Sequence, residues 1–127
     1  MERLSWDDDA QRARFIELFK NARFLLWPSE SYETFGLVAI EAFACGLPVI
    51  ATRNGVMAEI VKDRETGLLF TSGDARELAE TVQWAWNNPR AMREFGCRAR
   101  EVYESMYTEE RNYELLMSIY DQAKRVA

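Results

Sequence analysis

The middle of the chain changes between apolar runs and polar turns in a way that predicts a strand, a helix and a second strand. The run Arg23–Trp27 ends at Pro28 and is short enough to be a buried strand. After seven mostly polar residues, Gly36–Cys45 is apolar over a helical length and is stopped by Gly46 and Pro48. Pro48–Thr52 is then the next strand. A short crossover of this kind predicts parallel pairing with a right-handed connection.

The flanking segments predict further helices and a third strand. Before the central unit, a helix over Asp7–Lys20 is predicted from an apolar stripe of Phe15, Leu18, Phe19 and Ala22. After it, the pattern predicts a short helix at Val56–Val61 and a strand at Gly67–Phe70. We therefore expect a single α/β domain over 1–127, with about three parallel strands flanked by helices in its 1–73 part.

The 74–127 part is predicted to be helical. Asp74 and Glu77 form a capping box that opens a helix ended by Asn87-Asn88-Pro89. The predicted apolar face of this helix consists of Leu78, Val82, Ala85 and Trp86. Two more helices are predicted, from Pro89 to Met106 and from Thr108 to about Lys124. The last is apolar over a wide arc, with Tyr113, Leu116 and Tyr120 on one side and Leu115 and Ile119 on another.

The helix predicted over Gly36–Cys45 is apolar nearly all the way round, and Glu41 is the exception. Such a helix should be covered by protein on most sides. A carboxylate held there is costly unless hydrogen-bond donors reach it, and the sequence has no histidine and no basic residue within a turn. A pair of ligand hydroxyls would satisfy Glu41. A carboxylate at a groove edge, solvated or paired with a distant arginine, is an equally good interpretation.

The start of the same helix suits an anion. Helix N-termini expose unpaired N–H groups and a partial positive charge, and Gly36 would let the backbone approach a phosphate closely. Glu33 precedes this turn, and Glu41 lies about 7.5 Å beyond Gly36 along the helix axis. A phosphate bound at the helix start would therefore have a carboxylate on either side. A nucleotide-sugar could offer ribose hydroxyls to one and sugar hydroxyls to the other.

Composition excludes several classes of partner. The 127 residues carry a net charge of −5 and no basic run, which argues against a nucleic-acid groove and an anionic membrane surface. Cys45 and Cys97 form no disulfide framework, so we expect a reducing compartment and a cytoplasmic location. No apolar stretch approaches the length of a membrane span, and Met1 is not followed by a signal peptide.

Two features that suggest ligand sites have simpler structural explanations. Asp7, Asp8 and Asp9 could bind a divalent ion, but Ser5 with Asp8 reads as a capping box, and acids suit the first turn of a helix. No metal site is therefore predicted. Trp84 and Trp86 could stack on a sugar, but aromatic residues at helical spacing more often fill a core, so both are predicted to pack.

The string PSESYETFGLVAIEAFACGLPVIAT resembles the signature of the family 4 retaining nucleotide-sugar glycosyltransferases, the glycosyl transferases group 1. Glu33 and Glu41 stand with seven residues between them, as the E-x7-E motif of that family requires. The likeness continues through Glu59-Ile60-Val61, Thr66–Phe70 and Met106-Tyr107-Thr108, so it covers essentially the whole chain. One departure is Val56, which stands where the family usually has the second of two glycines.

The resemblance implies a GT-B enzyme with two Rossmann-like domains, of which this chain is the later part of the second, donor-binding domain. By the same resemblance, Glu41 accepts from the donor ribose and Glu33 is the catalytic residue that contacts the donor sugar. The backbone N–H groups of Phe35, Gly36 and Leu37 would hold the diphosphate, with Thr34 in the same donor-binding segment. No metal ion or other cofactor is implied.

The resemblance also implies what the chain lacks. The phosphate-binding Arg and Lys of the family come from a region that precedes this chain, and the acceptor-binding domain is absent. We therefore expect the chain to be inactive or nearly so by itself, and to work with an N-terminal domain or partner chain, or to self-associate through exposed apolar surface. The alternative is a non-catalytic protein-interaction module derived from such a domain.

Overall fold

The computed structural model describes residues 9–28 and 36–126. In these ranges three strands alternate with helices and are followed by a helical C-terminal half. The elements in chain order are α1 (Asp9–Asn21), β1 (Leu25–Trp27), α2 (Leu37–Ala44), β2 (Val49–Thr52), α3 (Gly55–Ile60), β3 (Gly67–Phe70), α4 (Ala75–Asn87), α5 (Pro89–Val102), a π-helical turn (Tyr103–Tyr107) and α6 (Glu109–Val126).

The three strands form a parallel sheet, as the sequence predicts, and their order in the sheet is β1-β2-β3. Leu25 pairs with Val49, and Val49 pairs with Gly67. The first two strands begin later than predicted, because Pro48 has no N–H to donate to a ladder. The Pro48 carbonyl instead accepts from the amide of Leu25 at 2.9 Å, and regular pairing starts there.

The sheet has two faces with separate apolar clusters. On the first, called the α2 face, the buried strand residues Val49, Ala51 and Leu69 pack against α2 and α3. On the second, called the α4 face, Ile50, Leu68 and Phe70 pack against α4 and the first half of α5. The chain is therefore layered as helices, sheet and helices.

Helix α5 joins the two clusters by passing below the start of β2. Met92 and Phe95 in its first half belong to the cluster on the α4 face, whereas Ala99 belongs to the cluster on the α2 face. Between them, Gly96 lies against the turn that leads into β2. A Cβ atom at Gly96 would overlap the carbonyl oxygen of Gly46 and lie 3.2 Å from Cδ of Pro48. The absence of a side chain at Gly96 thus permits the crossing.

The helical half begins and ends close to where the sequence predicts. Asp74 caps α4, since its Oδ1 accepts from the amide of Glu77 at 2.9 Å. The helix from Pro89 continues through the wider π-helical turn to Tyr107, one residue past its predicted end. Thr108 precedes α6, and its hydroxyl accepts from the amide of Arg111 at 3.2 Å.

Two predicted apolar faces are partly wrong. Trp86 is exposed and lies under the guanidinium of Arg23, at 4.2 Å from ring centroid to Cζ, whereas Trp84 stacks on Phe95 as expected of a packing residue. On α1, Leu18 and Ala22 are exposed, and Phe19 carries the packing against the core. The reason is the same in both helices: each packs against the core along a narrower stripe than its apolar residues occupy.

We predict that Gly96→Ala destabilises the protein. Alanine favours an exposed helix by about 0.5–1 kcal/mol over glycine, but overpacking against a backbone carbonyl costs about 1–3 kcal/mol. The net free energy of unfolding should therefore fall, as measured by chemical denaturation. Glu94→Ala, at an exposed position of α5, is the control and should stay within about 0.5 kcal/mol of the parent. A Gly96→Ala protein more stable than the parent would show that α5 does not pass this close.

Candidate donor-binding site

The predicted site lies at the carboxyl end of the sheet, where β1 leads towards α2. The structure places Gly36, Leu37 and Glu41 on or beside α2. Glu33, Thr34 and Phe35 lie outside the described residues. The part of the site that can be built is therefore the helix start and the carboxylate in its second turn.

Gly36 is the residue from which α2 starts. Its φ of 63° and ψ of 26° are left-handed, and glycine has no side chain of its own to cap the helix. Its carbonyl accepts from the amides of Ala39 and Ile40 at 3.1 and 3.2 Å. The two amides before these, of Leu37 and Val38, are first-turn groups that have no partner inside a helix. This helix start can therefore receive an anion.

Helix α3 borders this helix start. A Cβ atom at Gly36 would overlap Cδ1 of Ile60 and lie 3.6 Å from Cγ1 of Val56. Glycine is thus required both by its backbone conformation and by its neighbours. Neither Val56 nor Ile60 was predicted to lie here. The only signal was the departure at Val56 from the resembled family pattern, and the structure shows that its side chain packs towards the core rather than into solvent.

Glu41 lies partly buried in a cavity of about 320 Å³ between α1, α2 and α5. Burial raises the pKa of its carboxyl above the usual value of 4.5. Across residues 9–28 and 36–126, no hydrogen bond or ion pair reaches this carboxylate. The residues that line the cavity are Ile16, Phe19, Lys20, Glu41, Ala44, Cys45 and Arg100.

The sequence placed no basic residue near Glu41, yet the fold brings Lys20 and Arg100 to the same cavity. Arg100 is engaged elsewhere: its Nε donates to Glu104 at 2.9 Å, and its Nη1 donates to the carbonyl of Ala44. A cation at the last carbonyls of a helix is favourable, so Arg100 stabilises the end of α2. Glu41 is left as a carboxylate whose acceptor capacity is not used by this arginine.

Cys45, at the end of α2, is a free thiol that lines the same cavity. Burial raises its pKa, while Lys20 and Arg100 act in the opposite direction. The net effect is upward, which is the reverse of what activates a cysteine nucleophile. The cavity therefore offers an acceptor carboxylate and apolar walls rather than a nucleophile.

The other candidate ligand sites gain no support. Asp7 and Asp8 lie outside the described residues, and in the part of the chain that the structure describes no three His, Cys, Asp or Glu side chains are grouped to hold a metal ion. Glu59 is exposed on α3. No helix within the described ranges is long and apolar enough to cross a membrane.

Comparison with known proteins identifies the family. Residues 9–102 match the family model described as glycosyl transferases group 1. This chain belongs to the glycosyl transferases group 1 family. The D-inositol 3-phosphate glycosyltransferase of Arthrobacter sp. (strain FB24) is 34% identical to this group 1 chain over 105 residues, which is 83% of the chain and 24% of that protein. The chain spans about a quarter of the length of the curated relatives it matches.

Solved structures confirm the GT-B fold class for this group 1 chain. Sucrose-phosphate synthase from Thermosynechococcus elongatus aligns with a TM-score of 0.79 and 35% identity, over 89% of this chain and 28% of that one. Anabaena HepE, solved in complex with UDP, aligns with a TM-score of 0.75 and 24% identity, over 83% of this chain and 29% of that one. The C-terminal domain of a group 1 protein from Francisella tularensis aligns with a TM-score of 0.70 and 20% identity. The alignment covers 86% of this chain and 53% of that domain.

We predict that Glu41→Gln stabilises the chain at neutral pH. A carboxyl whose folded-state pKa is raised binds its proton more tightly when folded, so the parent loses stability as pH rises from 4.5 through that raised pKa. The advantage of the glutamine variant should therefore be near zero at pH 4 and positive at pH 7, measured as melting temperature. Glu101→Gln, exposed on α5, is the control. A variant less stable than the parent at pH 7 would mean that Glu41 is ion-paired.

Proposed function

We propose that this chain binds a nucleoside-diphosphate sugar and is the donor-binding portion of a retaining glycosyltransferase that transfers the sugar to a hydroxyl acceptor. The observation that carries the proposal is Glu41, a partly buried carboxylate without a protein partner among the described residues, on the helix that starts at Gly36. A carboxylate kept in this state at a cost in stability is explained by a ligand that donates hydrogen bonds.

The spacing along α2 fits the two parts of a nucleoside diphosphate. Glu41 is four positions after Leu37, which corresponds to a rise of about 6 Å along the helix axis. A diphosphate held by the first-turn amides would leave the adjoining ribose beside Glu41, which accepts from its hydroxyls. The amide dipoles stabilise the anion and its developing negative charge without a metal ion or other cofactor.

The residues before Gly36 complete the proposed site. Glu33 is the catalytic residue that contacts hydroxyls of the donor sugar, and Thr34 and Phe35 belong to the donor-binding segment, the latter through its amide. These roles follow from the resemblance of the E-x7-E segment. No covalent nucleophile is required, because the leaving diphosphate can act as the base. The protein then has to position the substrates and neutralise the charge that develops on the diphosphate. The UDP complex of Anabaena HepE, which shares the fold, supports a nucleotide ligand.

The proposed enzyme is larger than this chain, since the segments that match it make up about a quarter of the curated relatives. The phosphate-binding Arg and Lys and the acceptor-binding domain of the resembled family have no counterpart here. Loss of one preorganised donor costs about 3–4 kcal/mol of transition-state stabilisation. We therefore propose that the chain binds donor but transfers little or no sugar by itself, and that it works in the cytoplasm with no nucleic-acid partner.

A second candidate function is a non-catalytic interaction module. It is favoured by one observation, the large exposed apolar side chains Leu26 and Trp86. Such a module would associate with itself or with another protein and would need no nucleotide. Stable self-association of the chain together with an absence of nucleotide binding would favour this candidate over the first.

We predict saturable binding when the chain is titrated calorimetrically with UDP, GDP and ADP, strongest for the base that the enzyme uses. Glu41→Gln should weaken that binding about 10–100-fold, because a hydrogen bond to a charged group is worth about 1.5–3 kcal/mol. The same variant is expected to be the more stable protein at pH 7, so weaker binding could not be ascribed to misfolding. Glu101→Gln serves as the control. No saturable binding of any of the three nucleotides would contradict the proposal.

We predict that Glu33→Gln weakens binding of the nucleotide-sugar but not of the nucleoside diphosphate. If Glu33 contacts only sugar hydroxyls, the variant should bind the nucleoside diphosphate as the parent does. Its affinity for the corresponding nucleotide-sugar should fall about 10-fold or more, for the same reason of lost charged hydrogen bonds. Calorimetric titration with both ligands measures the difference. An equal loss for both ligands would place Glu33 on the nucleotide instead.

A further inference from the structure

A cavity of about 330 Å³ lies at the amino end of the sheet, which is the end opposite the candidate donor-binding site. It forms where the segments that lead into β1 and β2 meet the turn between α4 and α5. The described residues that line it are Lys20, Ala22, Arg23, Gly46, Pro48, Ala85, Pro89, Met92 and Arg93. Three of these residues are basic and none is acidic. We call this space the basic cavity.

The three basic side chains of the cavity come from three different segments. Lys20 is in the last turn of α1, Arg23 precedes β1, and Arg93 is in the second turn of α5. Arg93 is distant from the other two along the chain. The sequence therefore shows no basic run here, and the fold assembles the cluster.

The cations of the basic cavity have no acidic partner in the protein. Across the described ranges, no ion pair or hydrogen bond engages the side chain of Lys20, Arg23 or Arg93. Glu94 follows Arg93 directly but pairs with Arg90 instead, with 3.8 Å between Oε1 and Nε. The chain as a whole carries a net charge of −5, so carboxylates are plentiful elsewhere. Three unpaired charges of one sign around one cavity are suited to an anion from outside the protein.

The surroundings of the cavity favour electrostatic binding. The ring of Trp86 lies 4.2 Å from Cζ of Arg23, and a guanidinium stacked in this way keeps the N–H groups in its plane free to donate. Pro48, Ala85 and Met92 are buried and give the cavity an apolar wall. Clefts that combine charges of one sign with a wall of low dielectric constant focus the potential on a bound ion.

We propose that the basic cavity binds a phosphate group, carried either by a small phosphomonoester or by a lipid headgroup. A carboxylate would neutralise only one of the three cations. A phosphomonoester carries a charge of about −1.5 to −2 at pH 7 and offers three strong acceptor oxygens, one for each basic side chain. The planar fork of an arginine also matches the geometry of phosphate oxygens. The site is separate from the donor site, and the inference does not rest on the proposed function.

The test is a calorimetric titration of the chain with inorganic phosphate and with glycerol 3-phosphate, a simple phosphomonoester. Both should bind saturably, and Arg93→Gln should weaken their binding about 10-fold or more, because a hydrogen bond to a charged group is lost. Lys20→Gln should act in the same direction from another helix. Arg90→Gln is the matched control, since it removes the same charge from α5 but does not line the cavity. Screening by salt should limit its effect to about 2-fold.

Melting temperatures show whether the variants remain folded. Lys20, Arg90 and Arg93 are all exposed, so none of the three substitutions should change the melting temperature appreciably. Weaker phosphate binding by Arg93→Gln at an unchanged melting temperature then reports on the cavity itself.

A second assay distinguishes the two sources of phosphate. The chain is sedimented with phosphatidylcholine vesicles that either contain or lack phosphatidic acid. Binding of glycerol 3-phosphate without cosedimentation assigns the cavity to a soluble phosphomonoester. Cosedimentation that requires phosphatidic acid and is lost in Arg93→Gln assigns it to a lipid headgroup.

Two results would overturn the inference. One is the absence of binding in both assays at millimolar phosphate or phosphomonoester. The other is binding that neither Arg93→Gln nor Lys20→Gln weakens more than Arg90→Gln does, which would place the phosphate elsewhere, for example at the start of α2. Glu41→Gln should leave phosphate binding unchanged, so a failure here is distinguishable from a failure of donor binding.

Discussion

Burial of α2 against the sheet is the constraint on which the rest of the site depends. Ala39, Ala42 and Phe43 are fully buried between β2, α3 and α5, which fixes both the rotation and the depth of the helix. With these residues inward, Glu41 is directed to the cavity between α1, α2 and α5. The same packing sets the start of the helix beside α3, where only glycine fits. The apolar sequence of α2 therefore positions both the start of the helix and the carboxylate of Glu41 in its second turn.

Arg100 lies near α2 but does not pair with Glu41. Arg100 satisfies carbonyl groups at the C-terminal end, and its other contact is to Glu104 on the π-helical turn. Because this arginine is already engaged, Glu41 stays available as an acceptor, and its raised pKa records the cost of partial burial. Hydrogen bonds donated by a ligand would offset that cost. The proposed ligand is a sugar donor, which agrees with membership of the group 1 family.

Local patterns predicted the strands and α2 well, because each depends on a few neighbouring residues. Gly46 and Pro48 end α2 whatever surrounds it, and the parallel pairing of β1 with β2 follows from a short crossover. What failed depends on distant parts of the chain. Trp86 and Leu18 were placed in apolar faces because sequence does not show how wide a stripe of a helix its neighbour covers. Likewise Arg100 reaches the end of α2 because Gly96 lets α5 pass close to the turn at Gly46 and Pro48. No local sequence pattern predicts that contact.

The most direct test of the account is a crystal structure of this chain with UDP, or with whichever nucleoside diphosphate it binds most tightly. The account predicts the diphosphate at the start of α2, within hydrogen-bonding distance of the amides of Gly36 and Leu37, and both ribose hydroxyls on the carboxylate of Glu41. A structure in which side chains of the protein fill the helix start, with Glu41 turned to Arg100 or Lys20, would contradict it.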